Sequence, residues 1–510
     1  LDNLTKEEIL DLVAFLKSSV DGKVSREIPQ VIVAKKKIGD RRGKQALKNS
    51  PLPRNVVQGS PVNAQPAVTF PKKRSARKSG NLPNVLFIIS DDQTWTDYGF
   101  MGHKVIQTPN LDKLASESYT FTRGYVPTSL CRPSLMTMIS GLYPRQHFVT
   151  GNDPGVPDDA DRRQYRRKPE YQELRNALIS KVDQVPTLPR LLSRKGYVSF
   201  QCGKWWEGNH KRGGFTQGMT HGDPARGGRH GDEGLKIGRN GLEPITEFLD
   251  QRKGKPFFIW YAPFLPHTPH NPPRRLLDKY RSQTKHIQMA KYYAMCEWFD
   301  ETCGELLGEL EKRKLSDNTI ILYVTDNGWI QRTPDVKLPQ GWGPSFAPKS
   351  KQSPFDGGVR TPVMVRWPGK IKPAMDNETL VSSIDMVPTV LQAVGLEVPG
   401  NLQGIDLLPH CTGKQKINRK TIYGEIYAHD IANLEDPAES LLYEWCIHGH
   451  EKLIKTYPGK LGPYKTIHSV VKPGKHRFNL KQDPHEENPI LSTSVDLEKK
   501  LVEWRERFKN

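Results

Sequence analysis

The chain has 510 residues, of which 36% are hydrophobic, and its mean hydropathy is −0.64. This length favours two or more domains over a single one. No stretch of about 18 consecutive apolar residues is present, which excludes a membrane-spanning helix. Its six cysteines lack a CxxC pair, which excludes a disulfide-rich scaffold and argues against a zinc ribbon.

The positive charge of the chain is concentrated near its N-terminus. The net charge is +20, and residues 21–80 contain fifteen Lys or Arg against three Asp or Glu. This stretch is also rich in Pro, Ser and Asn and lacks an apolar period, which is typical of a solvated linker. A patch that binds polyanions or nucleic acid is the alternative. We interpret residues 21–82 as a basic, Pro-rich linker and expect no nucleic-acid partner.

The first predicted element is a short amphipathic helix within residues 1–20. Thr5 and Glu8 form a capping box at its start. Apolar residues line one face with helical spacing, namely Ile9, Leu12, Val13 and Leu16. We interpret this helix as the remnant of an upstream helical domain, and it resembles the last helix of bacterial c-type cytochrome modules. Because the sequence begins with Leu1 rather than Met, we expect a fragment or a processed product.

Strands alternate with helices over the next part of the chain. The apolar runs at 85–90, 198–202, 257–261, 319–325 and 363–366 predict strands, and helices are predicted between them, the longest at 286–312. This order predicts an α/β fold, a large mixed and mostly parallel sheet sandwiched by helices, over residues 83–415. Short antiparallel strands at 421–427, 452–457 and 476–480 and a helix at 495–508 predict a smaller C-terminal α+β domain over residues 416–510.

Chemically active side chains lie in the segments that follow four of the predicted strands. They are Asp91 and Asp92, Lys204, His267, and Asp326 and Asn327. Ligands of open α/β sheets bind beyond the carboxyl ends of the strands, so we expect these side chains at one edge of the sheet. Three carboxylates close together repel one another unless a cation lies among them. The oxygen ligands favour a hard ion, calcium or magnesium. The Asp-Asp pair or the Asp-Asn pair alone would instead indicate a helix cap or a turn.

The cysteine at position 131 opens the most informative segment. Pro133 fits the first turn of a helix and Gly141 fits its end, so we predict a helix that starts at Cys131. The thiol then lies at a helix N-terminus, where backbone N–H groups and the helix dipole favour an anion. A structural thiol among apolar neighbours is the alternative, and it is our interpretation of the other five cysteines.

The segment that begins Cys131-Arg132-Pro133-Ser134 and ends Ser140-Gly141-Leu142-Tyr143-Pro144 resembles the sulfatase signature. Further motifs of that family follow the family's order from Asn84 to the C-terminus: Asp91-Asp92-Gln93, Thr108-Pro109-Asn110-Leu111-Asp112, Gly203-Lys204-Trp205, Pro266-His267-Thr268-Pro269, Asp326-Asn327-Gly328, Gly357-Gly358-Val359-Arg360 and Asp483-Pro484. Together they are highly specific. The resemblance implies an alkaline-phosphatase-like fold, sulfatase activity, and a cysteine that a formylglycine-generating enzyme oxidises to formylglycine.

The resemblance also implies a role for each matching residue. One calcium ion, with magnesium less favoured, is held by Asp91, Asp92, Asp326, Asn327 and an oxygen of the formylglycine made from Cys131. Lys204 and Lys351 grip the sulfate oxygens, and His267 assists the leaving oxygen. This assignment is physically reasonable, because a cation and two lysines offset the negative charge of a sulfate ester as it reacts.

Two positions depart from the family pattern. Leu135 stands where the family has an arginine that fixes the formylglycine and is read by the maturation enzyme. Trp206 stands where the family has a histidine that helps to deprotonate the hydrate during sulfate release. His210 and His147 are candidate substitutes, and each is alternatively a surface or capping residue.

We therefore predict a sulfuric ester hydrolase that acts through formylglycine and calcium on a sulfated carbohydrate or an aryl ester. One alternative is a phosphoester hydrolase on the same scaffold, which would use Ser or Thr with two transition metals. The other is a non-catalytic binder of sulfated glycans, which the two departures from the family pattern motivate.

The substrate is indicated only by the loops around the predicted site. Four tryptophans lie in or near these loops and either face sugar rings or belong to the core: Trp205, Trp206, Trp329 and Trp342. The charged loops 152–185 and 209–239 are either solvated or form the rim of an anionic-substrate site. Export to the periplasm or the exterior is expected, because an upstream cytochrome-like module and a polysaccharide substrate both suggest it.

Overall fold

The computed structural model describes residues 82–508. The predicted N-terminal helix and the basic stretch up to residue 81 lie outside the described residues. Among those described, no helix has the length and apolar character that crossing a membrane requires.

Fifteen strands occur in residues 82–508: β1 (Asn84–Ser90), β2 (Tyr119–Tyr125), β3 (Asp153–Pro154), β4 (Val198–Gly203), β5 (Gln217–Gly218), β6 (Phe257–Ala262), β7 (Thr319–Thr325), β8 (Arg360–Arg366), β9 (Ala374–Asp376), β10 (Val381–Ser382), β11 (Thr421–Tyr427), β12 (Asp430–Ile431), β13 (Leu441–His448), β14 (Glu451–Thr456) and β15 (Lys475–Asn479).

Fourteen α-helices occur in the same residues: α1 (Pro109–Ser116), α2 (Cys131–Ser140), α3 (Pro144–His147), α4 (Arg162–Tyr165), α5 (Pro169–Ser180), α6 (Leu188–Ser193), α7 (Glu243–Gln251), α8 (Arg274–Arg281), α9 (Ile287–Lys312), α10 (Asp356–Val359), α11 (Met386–Ala393), α12 (Leu408–Cys411), α13 (Lys465–His468) and α14 (Leu497–Glu506). Short 3₁₀ turns connect several of them.

Nine strands form the large sheet, in the order β10-β2-β8-β7-β1-β6-β4-β5, with β9 beside β2. The central strands β7, β1, β6 and β4 are parallel to their neighbours in this group, whereas β8 runs antiparallel to β7 and β2. The predicted mixed, mostly parallel sheet is confirmed.

The central strand β1 is buried throughout and apolar from Val85 to Ile89, because helices cover both of its faces. Phe87 packs on one face in a cluster that includes Met138 of α2. Leu86 and Ile88 pack on the other face with Phe299 of α9. The sheet is thus sandwiched by helices, as predicted, and α2 lies on one face of it.

The C-terminal part contains a second, antiparallel sheet in the order β11-β13-β14-β15. Helix α14 packs against it, with the ring of Trp504 stacked 5.2 Å from that of Tyr423. This confirms the smaller α+β part. A third, two-stranded sheet joins distant parts of the chain, because β12 pairs with β3 and places Asp430 opposite Asp153.

Candidate active site

Two loops at the carboxyl edge of the large sheet carry the predicted metal ligands. Because β1 and β7 pair in parallel along their whole length, Asp91 and Asp92 leave the sheet beside Asp326 and Asn327. The Asp92 N–H donates to Asp326 Oδ1 over 3.1 Å, and the Asn327 N–H donates to the same oxygen over 2.6 Å. Asp92 itself has a left-handed φ of +64°. The two loops are therefore fixed to each other.

Helix α2 brings Cys131 to the same place. Cys131 is its buried first residue, and the helix ends where Gly141 adopts a φ of +75°, as its sequence predicts. The Ser134 hydroxyl donates to the Asp326 carbonyl oxygen over 2.5 Å, which ties the first turn of the helix to the loop after β7. Four potential ligand atoms lie within 4.8 Å of one another, one each from Asp91, Asp92, Cys131 and His267.

Two buried lysines neutralise part of the acidic cluster. Lys204 Nζ lies 2.8 Å from Asp91 Oδ1, and Lys351 Nζ lies 2.7 Å from Asp92 Oδ2. His267 Nε2 lies 3.3 Å from both Lys351 Nζ and Asp92 Oδ2. The two ammonium groups and the imidazole thus surround the space next to the Cys131 thiol.

A glycine allows Lys204 to reach this position. Gly203 ends β4 with a φ of +86°, and a Cβ there would lie only 1.9 Å from the Ala262 carbonyl oxygen. The Lys204 N–H donates to that same oxygen over 2.7 Å. The close approach of the two chains requires glycine before the lysine.

Three buried oxygens of the cluster have no hydrogen-bond partner among the described residues. They are Asp91 Oδ2, Asp326 Oδ2 and Asn327 Oδ1. Buried acceptors of this kind are normally satisfied, and oxygens of carboxylates and amides are the ligands that hard divalent cations prefer. The residues present therefore fit a calcium or magnesium ion.

Burial dominates the electrostatics of the cluster. It raises the pKa of Asp91 well above its ordinary value, and the neighbouring Asp326 carboxylate raises it further. Burial also raises the pKa of the Cys131 thiol to about 11, although Lys204 and Lys351 oppose the change. The pKa of His267 lies well below its ordinary value because of burial and the two lysines. At neutral pH the encoded thiol is protonated, and His267 is neutral.

Comparison with known proteins identifies the family. The sulfatase profile matches residues 83–396, and the C-terminal profile of N-sulphoglucosamine sulphohydrolase matches residues 350–507. The chain belongs to the sulfatase family. N-acetylgalactosamine-6-sulfatase of Canis lupus familiaris is 30% identical over 381 residues, which cover 67% of this chain and 68% of that protein.

Solved structures share the fold of this sulfatase. A structure in complex with its substrate D-glucosamine-2-N,6-O-disulfate has a TM-score of 0.60 and 21% identity, covering 84% of this chain and 97% of that chain. The phosphonate monoester hydrolase of Agrobacterium radiobacter has a TM-score of 0.59 and 17% identity, covering 83% and 96%. The alkaline-phosphatase-like arrangement predicted from the sequence matches this fold.

The structure brings every predicted site residue of this sulfatase into one cluster. The members are Asp91, Asp92, Cys131, Lys204, His267, Asp326, Asn327 and Lys351. The two histidines considered as substitutes for the family histidine have other partners. His147 Nε2 is 3.1 Å from the Thr137 hydroxyl, and His210 Nδ1 is 3.0 Å from the Thr220 carbonyl oxygen.

A third histidine, His230, was missed by the sequence analysis and lies next to the cluster. Its ring centre is 5.2 Å from that of Trp206 and 5.4 Å from that of Phe264, and Phe264 in turn stacks on His267 at 4.3 Å. Its pKa lies well below the ordinary value because of burial, Arg229 and Lys204. Its buried Nδ1 has no hydrogen-bond partner among residues 82–508. Nothing in its loop, 209–239, distinguishes it in the sequence.

One of the two departures from the family pattern, Trp206, lies beside a buried ion pair, 6.0 Å from Arg132 Cζ. Leu135 packs in the core, and the arginine of this segment is Arg132 instead. Arg132 Nε and Nη2 donate to the two carboxylate oxygens of Glu207 over 2.8 and 2.6 Å. Glu207 directly follows Trp206, so this pair joins the start of α2 to the loop that carries Lys204.

The four tryptophans are buried, Trp205 and Trp206 in one core cluster and Trp329 and Trp342 in another. Trp205 packs on Phe215, and Trp342 packs on Phe346. Trp329 lines a cavity of about 270 Å³ beside the cluster, together with Trp95, Tyr292 and Tyr293 among others.

Proposed function

We propose that this sulfatase cleaves the sulfate ester of a sulfated carbohydrate with a formylglycine made from Cys131 and one bound calcium ion. The observation that carries the proposal is the grouping of the Cys131 thiol with two carboxylates and an imidazole within 4.8 Å. The relative named N-acetylgalactosamine-6-sulfatase and the fold neighbour bound to a disulfated glucosamine support a sulfated sugar as substrate.

The proposed metal ligands are the side chains of Asp91, Asp92, Asp326 and Asn327 and the oxygen of residue 131 after its oxidation. Calcium is preferred over magnesium because calcium takes many protein oxygen ligands, whereas magnesium usually keeps several waters and binds only one or two carboxylates. When bound, the ion would withdraw electrons from a sulfate oxygen and stabilise charge in the transition state.

The oxidised residue would replace a thiol that is poorly suited to attack. Burial keeps the Cys131 thiol protonated at neutral pH, and the thiolate is the nucleophilic form of cysteine. A formylglycine-generating enzyme is therefore the proposed maturation partner. Formylglycine would supply, as its hydrate, one hydroxyl for attack on sulfur and a second for the release of sulfate.

The remaining residues would hold the substrate and move protons. Lys204 and Lys351 are placed to bind the sulfate oxygens. The Nδ1 of His267 is 2.6 Å from the Thr268 carbonyl oxygen, which directs Nε2 towards Lys351. In the neutral ring this Nε2 is an acceptor, so we assign to His267 the passage of a proton from the Lys351 ammonium group, 3.3 Å away, to the leaving oxygen.

We assign proton removal during sulfate release to His230 rather than to His147 or His210. The ring of His230 packs against Trp206, the residue at the family histidine position. It also packs against Phe264, which in turn stacks on His267 of the candidate site. Its neutral ring and unpartnered buried nitrogen suit a base.

The test begins with the maturation of residue 131. The chain is produced together with a formylglycine-generating enzyme, and the peptide spanning Cys131 is analysed by mass spectrometry for the aldehyde. Sulfate release from sulfated oligosaccharides is then measured with calcium and after chelation. We expect an aldehyde and calcium-dependent release. An aldehyde-containing protein that releases no sulfate from any sulfated glycan would refute the proposal.

A non-catalytic sulfated-glycan binder is the second candidate, and Leu135 is the observation that favours it. The side chain of Leu135 is buried in the core and offers no charge near residue 131. Calcium-dependent glycan binding without product, measured on protein that carries the aldehyde, would support this candidate. A phosphate ester serves as the control substrate, because the fold is shared with a phosphonate monoester hydrolase.

A further inference from the structure

Beside the candidate active site, two buried acids hold three arginines. The acids face each other on the paired strands β3 and β12. Asp153 Oδ2 lies 2.5 Å from Arg229 Nη2 and 3.5 Å from Arg166 Nη2. Asp430 Oδ2 lies 2.8 Å from Arg162 Nη2. The three arginines come from the charged loops 152–185 and 209–239, and the proposed function gives them no role.

The acids are buried, whereas the arginines reach the surface. The side chains of Asp153 and Asp430 are 6% and 3% exposed. Those of Arg229, Arg162 and Arg166 are 41%, 32% and 22% exposed. The guanidinium groups are thus held in place by buried acids, while part of each arginine side chain remains accessible to solvent. Planar guanidinium groups held in this way match carboxylate or sulfate groups.

The distances between Asp153, His429 and Asp430 would also allow a metal ion. The surrounding charges argue against one. Burial alone would raise the pKa of Asp153, but Arg229, His429 and Arg166 together outweigh burial, and the pKa lies below its ordinary value. The carboxylates are thus already neutralised by arginine.

A short chain of contacts joins this cluster to the reacting residue. Asn152 Oδ1 accepts a hydrogen bond from the backbone N–H of Arg132, the residue after Cys131, over 3.1 Å. Asn152 Nδ2 lies 3.2 Å from His429 Nε2. On the other side, Arg229 Cζ lies 4.8 Å from the ring centre of Trp206, two residues after Lys204.

We propose that Arg162, Arg166 and Arg229 form a second anion subsite, which binds an acidic group of the sugar chain while the scissile sulfate lies at residue 131. This inference rests on the proposed function and refines its substrate class. The substrate is a polyanionic saccharide whose second acidic group is a uronate carboxylate or another sulfate. Tyr464 borders the subsite, with Arg162 Cζ 5.5 Å from its ring centre and the tilted ring of His429 at 4.3 Å.

The test compares matched oligosaccharides that share the scissile sulfate. One bears a neighbouring uronate, one bears a second sulfate, and one has neither acid. In Arg162→Gln, KM for an acidic substrate should rise about tenfold, as expected for one charge-assisted hydrogen bond, while kcat and the KM of the neutral substrate stay unchanged. Arg229→Gln should show the same rise of KM for the acidic substrate, but its kcat is no control because Arg229 also lowers the pKa of His230. If KM rises for only one of the two acidic oligosaccharides, the acidic group of that oligosaccharide is the one that the subsite binds.

Arg163→Gln is the matched control, because Arg163 is an exposed neighbour on the same helix, α4. It should leave every KM unchanged. Thermal unfolding accompanies each variant, since Arg229→Gln removes the main partner of a buried acid. Arg162→Gln is the safer variant, because Asp430 keeps His429 at 2.6 Å. Equal changes of KM on acidic and neutral substrates, or none on the acidic ones, overturn the subsite.

A binding measurement separates the subsite from the proposed function. Calorimetry with the Cys131→Ala protein and the acidic oligosaccharides requires no turnover. Weaker binding in the additional Arg229→Gln variant supports the subsite even if the parent enzyme releases no sulfate. Unchanged binding overturns the subsite even if the parent enzyme is active.

Discussion

The unpartnered oxygens of Asp91, Asp326 and Asn327 determine what the site can hold. Each is buried and has no hydrogen-bond partner among the described residues. The two ammonium groups of Lys204 and Lys351 face three carboxylates, since Lys204 Nζ also lies 3.9 Å from Asp326 Oδ2. A buried, uncompensated carboxylate is costly. A divalent cation would remove that cost and stabilise the folded protein.

Calcium should therefore raise the melting temperature, and Asp91→Asn should reduce this effect. At a free calcium concentration 100 times Kd, linkage predicts a stabilisation of about 2.7 kcal/mol. Scanning fluorimetry with calcium and with a chelator measures the shift. Asp158→Asn, an exposed acid, is the control and should retain the full shift. An equal shift in Asp91→Asn would contradict the ligand assignment.

His230→Gln should lower kcat by about 100-fold or more, the usual contribution of a general base or acid, and change KM little. The ring would move a proton without holding the sulfate, so the pH profile of kcat should also lose its acidic limb. Steady-state rates at saturating substrate measure both effects. His210→Gln is the control and should behave as the parent. A parent-like kcat and pH profile in His230→Gln would show that this histidine is structural.

Asp97 should make stability depend on pH. Burial raises its pKa from 3.8 to about 7, although the Tyr292 hydroxyl donates to it over 2.6 Å. Between these values the folded protein retains a proton that the unfolded chain has released, so stability falls as pH rises from about 4 to 7. The loss amounts to about 4 kcal/mol.

Asp97→Asn should remove this part of the slope, because the amide oxygen still accepts from Tyr292 and carries no charge. Urea unfolding of parent and variant at pH 5 and pH 7 measures the difference. The variant should gain stability relative to the parent at pH 7. The explanation fails if both proteins show the same change between the two pH values.

At the scale of elements, one buried ion pair connects helix α2 to the loop after β4. Arg132 and Glu207 are both almost fully buried and are joined by two hydrogen bonds. Breaking such a pair leaves a buried charge, whereas replacing both partners by apolar residues is often tolerated. The pair therefore positions residue 131 relative to Lys204. It also makes the protein sensitive to substitution of either partner alone.

Arg132→Met should lower the free energy of unfolding by about 3–5 kcal/mol, and the Arg132→Met/Glu207→Met double variant should recover much of this loss. Urea denaturation of both single variants and the double variant gives the coupling energy. Additive losses in the double variant would show that the two side chains do not act as a pair.

The central strands can be predicted from the sequence because helices cover both of their faces, so that nearly all of their residues are apolar. β1 and β7 read as continuous apolar runs, and the acids that follow them mark the edge of the sheet. β2 and β13 were missed because polar residues, and in β2 a glycine, interrupt their apolar character, as in YTFTRGY and LLYEWCIH. Their strand structure depends on pairing with β8 and with β11 and β14, which a local pattern does not reveal.

At the scale of the whole molecule, a site residue can be predicted from the sequence only where it belongs to a local sequence pattern. The proposed metal ligands come directly after the ends of predicted strands, and Cys131 lies in a contiguous motif. Both can therefore be recognised in the sequence without a structure. His230 and the arginine cluster come from loops without periodicity, and only tertiary contacts bring them to the site. Lys351 was found through the resemblance to the sulfatase family rather than through any pattern of its own.

The pairing of β3 with β12 has a consequence for how this protein can be divided. The C-terminal part supplies Asp430 to the arginine cluster, and fully buried Lys452 bridges Asp356 of the catalytic part and Glu486. Buried contacts thus cross the predicted boundary near residue 415. Under the proposed anion subsite, a chimera that exchanged the tail between relatives would inherit the chemistry of one parent and the substrate selectivity of both.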